Sequence, residues 1–263
     1  MRTIDGLTAA ERAHYDEHGY VKLTGFAGQG DCERMLDRVV ETTRAQAASG
    51  PPARRGGDGG RSATAGLVLP ESNLAGRPGR PEELASKVFT LHRDEVFGGF
   101  AASPALTGLL AGLIGPGIDC FLSQFIFKNP GAWGQPWHQD SYYFAFEPAR
   151  PVVGVSLAVT PATTSNGCLH VLPGSHRDPI HTHVPDRRPG ANIGYVEIVD
   201  RDVSGAVAMP MDPGDLLVFD SHLVHRSSDN VTDGLRAAMT YHFAATGTRD
   251  LHPGVVNDFV TVR

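Results

Sequence analysis

Apolar positions fall at helical spacing in the first third of the chain, and at strand spacing or in unbroken runs through most of the rest. Thr8, followed three residues on by Glu11, reads as a capping box that opens a helix, and Gly19 closes it. Tyr20, Val21, Lys22 and Leu23 then alternate as a short strand. Met35, Leu36, Val39 and Val40 share one face of a second helix, with Asp31 as its expected cap. A helical stretch is predicted from Pro81 and another from Ser103. The latter has Pro104 in its first turn, Leu109, Leu110, Leu113 and Ile114 on its buried face, and a Gly115, Pro116, Gly117 stop.

From residue 118 the pattern is one of strands. Residues 121–128 put Gln124, Ile126 and Lys128 on one face by parity. Residues 152–160 are apolar almost without break, which implies burial on both faces. Residues 167–172, 216–219 and 236–243 read as further strands, and Val255 and Val256 as a possible last one. Many short strands behind a helical layer predict a mainly β fold with flanking helices. Its core would be a double-stranded β-helix, a cupin-like jelly roll closed on itself. One domain is expected over 1–263, with a helical buttress in 1–115 and the jelly roll in 118–245. Two stretches interrupt it. Residues 49–80 are rich in Gly, Pro, Arg and Ser and are expected to be mobile. The alternative is a lid whose Arg54, Arg55, Arg61 and Arg77 would favour an anionic substrate. Residues 177–206 form a long polar connection, the kind of loop that carries function.

Composition narrows the partners. The net charge of −6 gives no basic field for nucleic acid or anionic lipid. No apolar run reaches the length of a membrane span, and the N-terminus lacks the apolar core of a signal peptide. Cys32, Cys120 and Cys168 are scattered and odd in number, so they suit reduced thiols better than a disulfide framework or a zinc ribbon. The expectation is a cytoplasmic monomer or small homo-oligomer acting on a small molecule.

The chemistry centres on Trp137, His138, Gln139 and Asp140. In an extended segment His138 and Asp140, two apart, project to the same side. Two side chains do not hold a catalytic metal alone, and a third ligand is expected from His225, with His222 competing. The two lie three apart and face opposite sides of a regular strand. Two imidazoles and a carboxylate on one face of a metal, the other face open, suit a non-haem Fe(II) oxygenase. Arg236, eleven residues beyond His225, heads an apolar strand, where its guanidinium could clamp the far carboxylate of a dicarboxylate co-substrate. Ser227 shares the parity of His225 and could donate to the same carboxylate. Tyr142, Tyr143, Phe144 and Phe146 form an aromatic cluster. Tyr142 and Phe144 are candidate substrate contacts, Tyr142 because it continues the parity of Asp140.

These blocks resemble the phytanoyl-CoA dioxygenase family of iron- and 2-oxoglutarate-dependent oxygenases. The matching residues are His138, Gln139 and Asp140 with Tyr143 and Phe144, then Asn166 to His176 with its Pro173-Gly174-Ser175-His176 end. The third block runs from Gly214-Asp215 through His225, Ser227 and Asn230 to Arg236. The resemblance covers roughly residues 120–245, with a weaker echo at the N-terminus. It implies Fe(II) held by His138, Asp140 and His225, with 2-oxoglutarate on the metal and its 5-carboxylate on Arg236 and Ser227. O2 is the remaining co-substrate, and Gln124 hydrogen-bonds the 2-oxoglutarate. It gives His170 and His176 no metal role, places substrate choice in 177–206, and departs at Ser156, where some relatives carry Trp. Halogenating relatives replace the carboxylate at the Asp140 position, so its presence favours hydroxylation with release of succinate and CO2. The expected substrate is a specialised metabolite. The alternatives are an acyl-CoA thioester, hydroxylated at carbon 2, and a cupin-like metal-dependent isomerase or hydrolase that would need neither Arg236 nor Ser227.

Overall fold

Local capping chemistry sets the first elements. The computed structural model describes residues 6–50, 66–252 and 257–263. Helix α1 (Ala9–His18) starts with Thr8 accepting from the Glu11 amide while the Glu11 carboxylate accepts from the Thr8 amide, and it ends at Gly19 with φ 81°. That left-handed φ is why a glycine stands there. Strand β1 (Tyr20–Leu23) follows. Helix α2 (Gln29–Ser49) begins earlier than expected. Gly28 is its N-cap, and Asp31 sits inside the first turn, accepting from the Gly28 amide at 3.1 Å.

The next stretch corrects two expectations. Residues 51–65, with Arg54, Arg55 and Arg61, lie outside the described residues. Residues 66–80 do not behave as one loose insertion. Strand β2 (Leu67–Pro70) pairs antiparallel with β3 (Ala85–Phe89), and the Val68 amide donates to Gln46 on α2. The helix expected from Pro81 is a single 3-10 turn, Pro81–Glu83, before the chain extends into β3. Pairing of β3 with strands on both sides outweighs the local helix signal. The N-terminal part is therefore more than a helical buttress: it supplies three strands to the main sheet. Helix α3 (Glu95–Ala101) was not anticipated; Asp94 caps it by accepting from the Val96 amide. Helix α4 (Pro104–Ile114) has Pro104 in its first turn and Gly115 as C-cap, as the sequence predicts.

The remaining strands are β4 (Ile118–Lys128), β5 (Phe146–Glu147), β6 (Val152–Ala158), β7 (Leu169–Val171), β8 (His183–Pro185), β9 (Val196–Ile198), β10 (Val207–Met209), β11 (Leu216–Asp220), β12 (His225–Ser227), β13 (Arg236–Ala245), β14 (Arg249–Asp250) and β15 (Val260–Thr261). Val255 and Val256 lie outside the described residues. Among those described, β1-β11-β6-β13-β4-β3-β2 form an antiparallel sheet in that order, with β15 also on β4. A smaller sheet, β10-β7-β12, lies against it. The stretch 177–206, expected as an irregular connection, contains the β8–β9 hairpin.

Register decides what each face does. Phe125, Phe127, Val153, Val155, Leu157, Met239, Tyr241 and Phe243 point outward and are buried with Met35, Val39, Phe97, Leu106, Leu109 and Leu110 of the helices. That apolar layer makes the sheet a rigid floor. No single helix among the described residues is long and apolar enough to cross a membrane. The inward face is different. Leu122, Gln124 and Ile126 alternate with fully buried neighbours and keep partial exposure, as do Lys87 and Phe89 on β3. Tyr20, Leu217 and Phe219 close the other half of this face against Val171, Met209 and Leu223. On the β3–β4 side this face keeps partly exposed side chains in place of an apolar layer.

Candidate metal centre

His138 and His225 are 87 residues apart in the chain. They meet as an antiparallel bridge, the amide of each donating to the carbonyl of the other at 2.9 and 3.0 Å. Directly opposed residues project to the same face, so the two rings stand side by side with centroids 4.2 Å apart. Gln139 is extended, with φ −117° and ψ 130°, which carries Asp140 to the same side. Asp140 Oδ1 lies 3.3 Å from His138 Nε2 and 3.7 Å from His225 Nε2. All three ligand atoms fall within 4.8 Å of one another, and all three side chains are buried.

Hydrogen bonds behind the rings fix their tautomers. His138 Nδ1 is 2.8 Å from the Pro136 carbonyl, and His225 Nδ1 is 2.8 Å from the Leu223 carbonyl. A carbonyl only accepts, so each Nδ1 carries a hydrogen and each Nε2 is the nitrogen turned toward Asp140. Burial, then the neighbouring His138, pushes His225 down to about 4, so that ring is neutral at pH 7. Burial alone would raise the Asp140 carboxyl. The imidazoles of His225 and His242 and hydrogen bonds from His138 and His242 outweigh it and hold the group well below the usual carboxylate range. Two imidazole nitrogens and a carboxylate oxygen thus converge, and a divalent cation can take the place of the hydrogen that His138 holds toward Asp140. The donor set is two imidazoles and one carboxylate with no thiolate, which fits Fe(II) or a similar borderline cation.

A second group of buried side chains is cationic. Arg236, only 2 % exposed, faces Lys128 directly across the β13–β4 register. Its Nε is buried without a hydrogen-bond partner. Burial lowers it to about 10, so it stays charged at neutral pH. Lys128 Nζ donates to the Trp133 carbonyl at 3.0 Å and to Ser227 Oγ at 3.1 Å. Burial, then Arg236, brings it down to about 7. Two like charges opposed in a dry site are costly unless an anion joins them. The chain therefore brings together a triad able to hold a metal ion and, opposed on β13 and β4, two buried cationic side chains. The sequence signature bears on the same point: the family model for phytanoyl-CoA dioxygenase (PhyH) matches residues 15–238.

The chain belongs to the phytanoyl-CoA dioxygenase family. It is 28 % identical over 244 residues to peroxisomal phytanoyl-CoA dioxygenase of Bos taurus, covering 90 % of this chain and 68 % of the bovine one. Among solved structures it is similar to EctD from S. alaskensis with bound Fe, at TM-score 0.70, 21 % identity, 98 % of this chain and 84 % of that one. It is also similar to the epimerase SnoN in complex with Fe3+, alpha ketoglutarate and nogalamycin RO, at TM-score 0.68 and 17 % identity, covering 97 % and 98 %. By family the chain is an enzyme, a dioxygenase.

The other residues singled out in this phytanoyl-CoA dioxygenase relative fall in several places. Ser227 Oγ accepts from Lys128 and from the Gln135 amide, so it stands beside the cation pair. Gln124 lies on the inward face of the main sheet in one row with Thr240, Ser156 and Phe89. His222 is turned to Ser141 Oγ at 2.9 Å and is no part of the triad. His183 uses Nδ1 on the His181 carbonyl and accepts the Gln139 amide at Nε2, so the His181 and His183 pair is structural. The parity argument for Tyr142 does not hold. Asp140–Tyr143 is a 3-10 turn, so strand parity ends at Asp140. The Tyr142 ring stacks on His183 and is 43 % exposed, whereas Tyr143 is the ring near His138, with centroids 6.4 Å apart. Phe144 packs with Phe121 and Phe146 and stands edge-on to His242.

Three residues were not anticipated as functional. Lys87, on the inward face of β3, donates to Gln135 Oε1 at 2.9 Å and lies over the Tyr195 ring. Burial lowers it to about 8, partly offset by Asp140 and Glu71. Lys128 shares a face with Gln124 by parity, but nothing in the strand pattern assigns it a role. His242 contacts Asp140 from β13. Lys87 and His242 sit in segments whose pairing partners are far away in the chain.

Gly154 explains how the His225 ring is seated. A Cβ there would stand 2.3 Å from Phe219, whose ring packs against His225 with centroids 5.1 Å apart. Gly154→Ala is expected to displace Phe219, cost about 1–3 kcal/mol of stability and weaken metal binding. Thermal unfolding and metal titration of the same variant check both effects.

Proposed function

We propose that the chain is an Fe(II)- and 2-oxoglutarate-dependent dioxygenase that hydroxylates an unactivated C–H of a small molecule. The reading takes residues 1–263 as one catalytic domain on a double-stranded β-helix. The observation that carries it is the pairing of a converging His138–Asp140–His225 triad with two buried cationic side chains, Arg236 and Lys128, opposed on neighbouring strands. His138, Asp140 and His225 would hold the metal. Arg236, Lys128 and Ser227 would take the 5-carboxylate, with Gln124 on the face it shares with Lys128. Bound together, the metal and 2-oxoglutarate supply O2 activation and C–H oxidation, with succinate and CO2 as co-products.

The chain's own contribution is positioning and exclusion of water. The β8–β9 segment covers the site. The Ile198 amide donates to the Trp137 carbonyl, the Tyr143 hydroxyl to the Gly194 carbonyl, and Asn192 Nδ2 to buried Glu71, each at 2.8 Å. Tyr195 is carried under Lys87 by the same segment. A specialised metabolite as substrate fits this covered, partly apolar site. A second reading, 2-hydroxylation of an acyl-CoA, is favoured by the likeness to the bovine enzyme along 90 % of the chain. The buried cation pair disfavours a cupin-like isomerase or hydrolase, which has no use for it.

The test is succinate release by anaerobically prepared protein supplied with Fe(II), 2-oxoglutarate and O2, alone and with acyl-CoAs, amino acids, terpenoids and polyketides. Iron-dependent succinate formation is expected, raised by the true substrate. Protein that binds no iron and forms no succinate under any condition overturns the reading.

A further inference from the structure

His242 lies outside the triad, yet it stands closer to Asp140 than either triad imidazole does. Its Nε2 is 2.7 Å from Asp140 Oδ2, and the ring is 1 % exposed. An ionised carboxylate only accepts, so Nε2 carries the hydrogen. The other nitrogen, Nδ1, is buried with no partner. The ring is held by aromatic neighbours: Phe144 edge-on at 5.3 Å, Phe121 at 6.1 Å and Phe219 edge-on at 6.2 Å between centroids. On the sheet it is opposed by Leu122 and Gly154. Packing alone would favour an apolar side chain here, since an orphaned buried polar nitrogen is unfavourable. The imidazole gains something an apolar group cannot give, and among the described residues the polar atom it reaches is Asp140 Oδ2.

The two carboxylate oxygens of Asp140 are thereby made unequal. Oδ2 is engaged by His242, and Oδ1 faces His138 Nε2 and His225 Nε2. We infer that His242 is a positioning residue that holds Asp140 by one oxygen so that a single oxygen is offered to the metal. The inference rests on the metal-centre reading above. Without the hydrogen bond the carboxylate is free to rotate about its last bond, and the ligand set loses its preset geometry.

The test compares His242→Phe with His242→Gln. Phenylalanine fits the aromatic surroundings but donates nothing; glutamine carries an N–H on a chain long enough to reach Asp140. Metal-free proteins are titrated anaerobically with Fe(II) and with Co(II), whose visible spectrum reports the ligand geometry. His242→Phe is expected to bind both metals about 10–100-fold more weakly, with an altered Co(II) spectrum and a metal-free unfolding midpoint at or above the wild type. His242→Gln is expected to recover most of the affinity and the wild-type spectrum. If the larger ring prevents folding, His242→Leu carries the same expectation. Wild-type affinity and spectrum in the apolar variant, or a glutamine variant no better than it, overturns the positioning role while leaving the triad intact. Wild-type protein that takes up neither metal removes the metal-centre reading itself, and this inference with it.

Discussion

His225→Ala is expected to lose metal binding by at least about 100-fold, since loss of outer partners alone costs 10–100-fold, and to form no measurable succinate. The fold should survive, because the bridge to His138 uses only the backbone of residue 225 and β12 keeps its pairing to β7. His222→Ala is the control: its ring is turned to Ser141, so metal affinity is expected to stay unchanged. Isothermal titration of both variants decides the assignment. Loss of binding in His222→Ala with retention in His225→Ala would reverse it.

Arg236→Met is expected to move binding and stability in opposite directions. Truncating one partner of a buried charge pair costs about 2–5 kcal/mol, so the KM for 2-oxoglutarate should rise by roughly 30-fold or more. The co-substrate-free protein should become more stable, because a buried guanidinium with an unpartnered Nε, opposed to Lys128, is replaced by an apolar chain. Metal affinity should be retained, which separates this site from the triad. Lys128 adds a pH dependence. Its ammonium is lowered to about 7 by burial and Arg236, and Lys87 pushes the same way; Glu71 and Asp229 oppose them. A bound carboxylate favours the charged form and raises the pKa. Affinity for 2-oxoglutarate should thus be greatest below pH 7 and fall above it, by up to ~10-fold per pH unit, until the bound-state pKa is reached. Lys128→Met should flatten that slope. Titrations of the metal-loaded protein at several pH values, without O2, measure it.

What the sequence discloses and what it hides follow from the range of the interactions. The first helix is legible because its caps are three residues apart: Thr8, Glu11 and Gly19 do locally what they signal. The inward face of the sheet is legible because strand parity is a two-residue rule, so Gln124, Ile126 and Lys128 share the face they were expected to share. The spacing of His138 and Asp140 is legible for the same reason. Parity fails one step later, at Tyr142, because a turn follows Asp140 and nothing local announces it. Pro81 to Leu84 misleads because its helix-start signal is overridden by β2 and β4 on either side of β3. Lys87 and His242 are hidden altogether. Each is an ordinary residue in its own segment and gains meaning only from a carboxylate or an imidazole brought in from elsewhere.

One fastening in the covering segment has a wider bearing. Gln139 stands between His138 and Asp140, and its side chain donates to the carbonyls of Pro179 and His222 and accepts from the His181 amide, while its own amide donates to His183. The segment that carries the β8–β9 hairpin is therefore stitched to the stretch that carries His138 and Asp140. Transplanting a foreign hairpin in place of this one would have to reproduce the acceptors and the imidazole that Gln139 uses. Otherwise the graft would disturb the metal's seat even while presenting a well-shaped chamber.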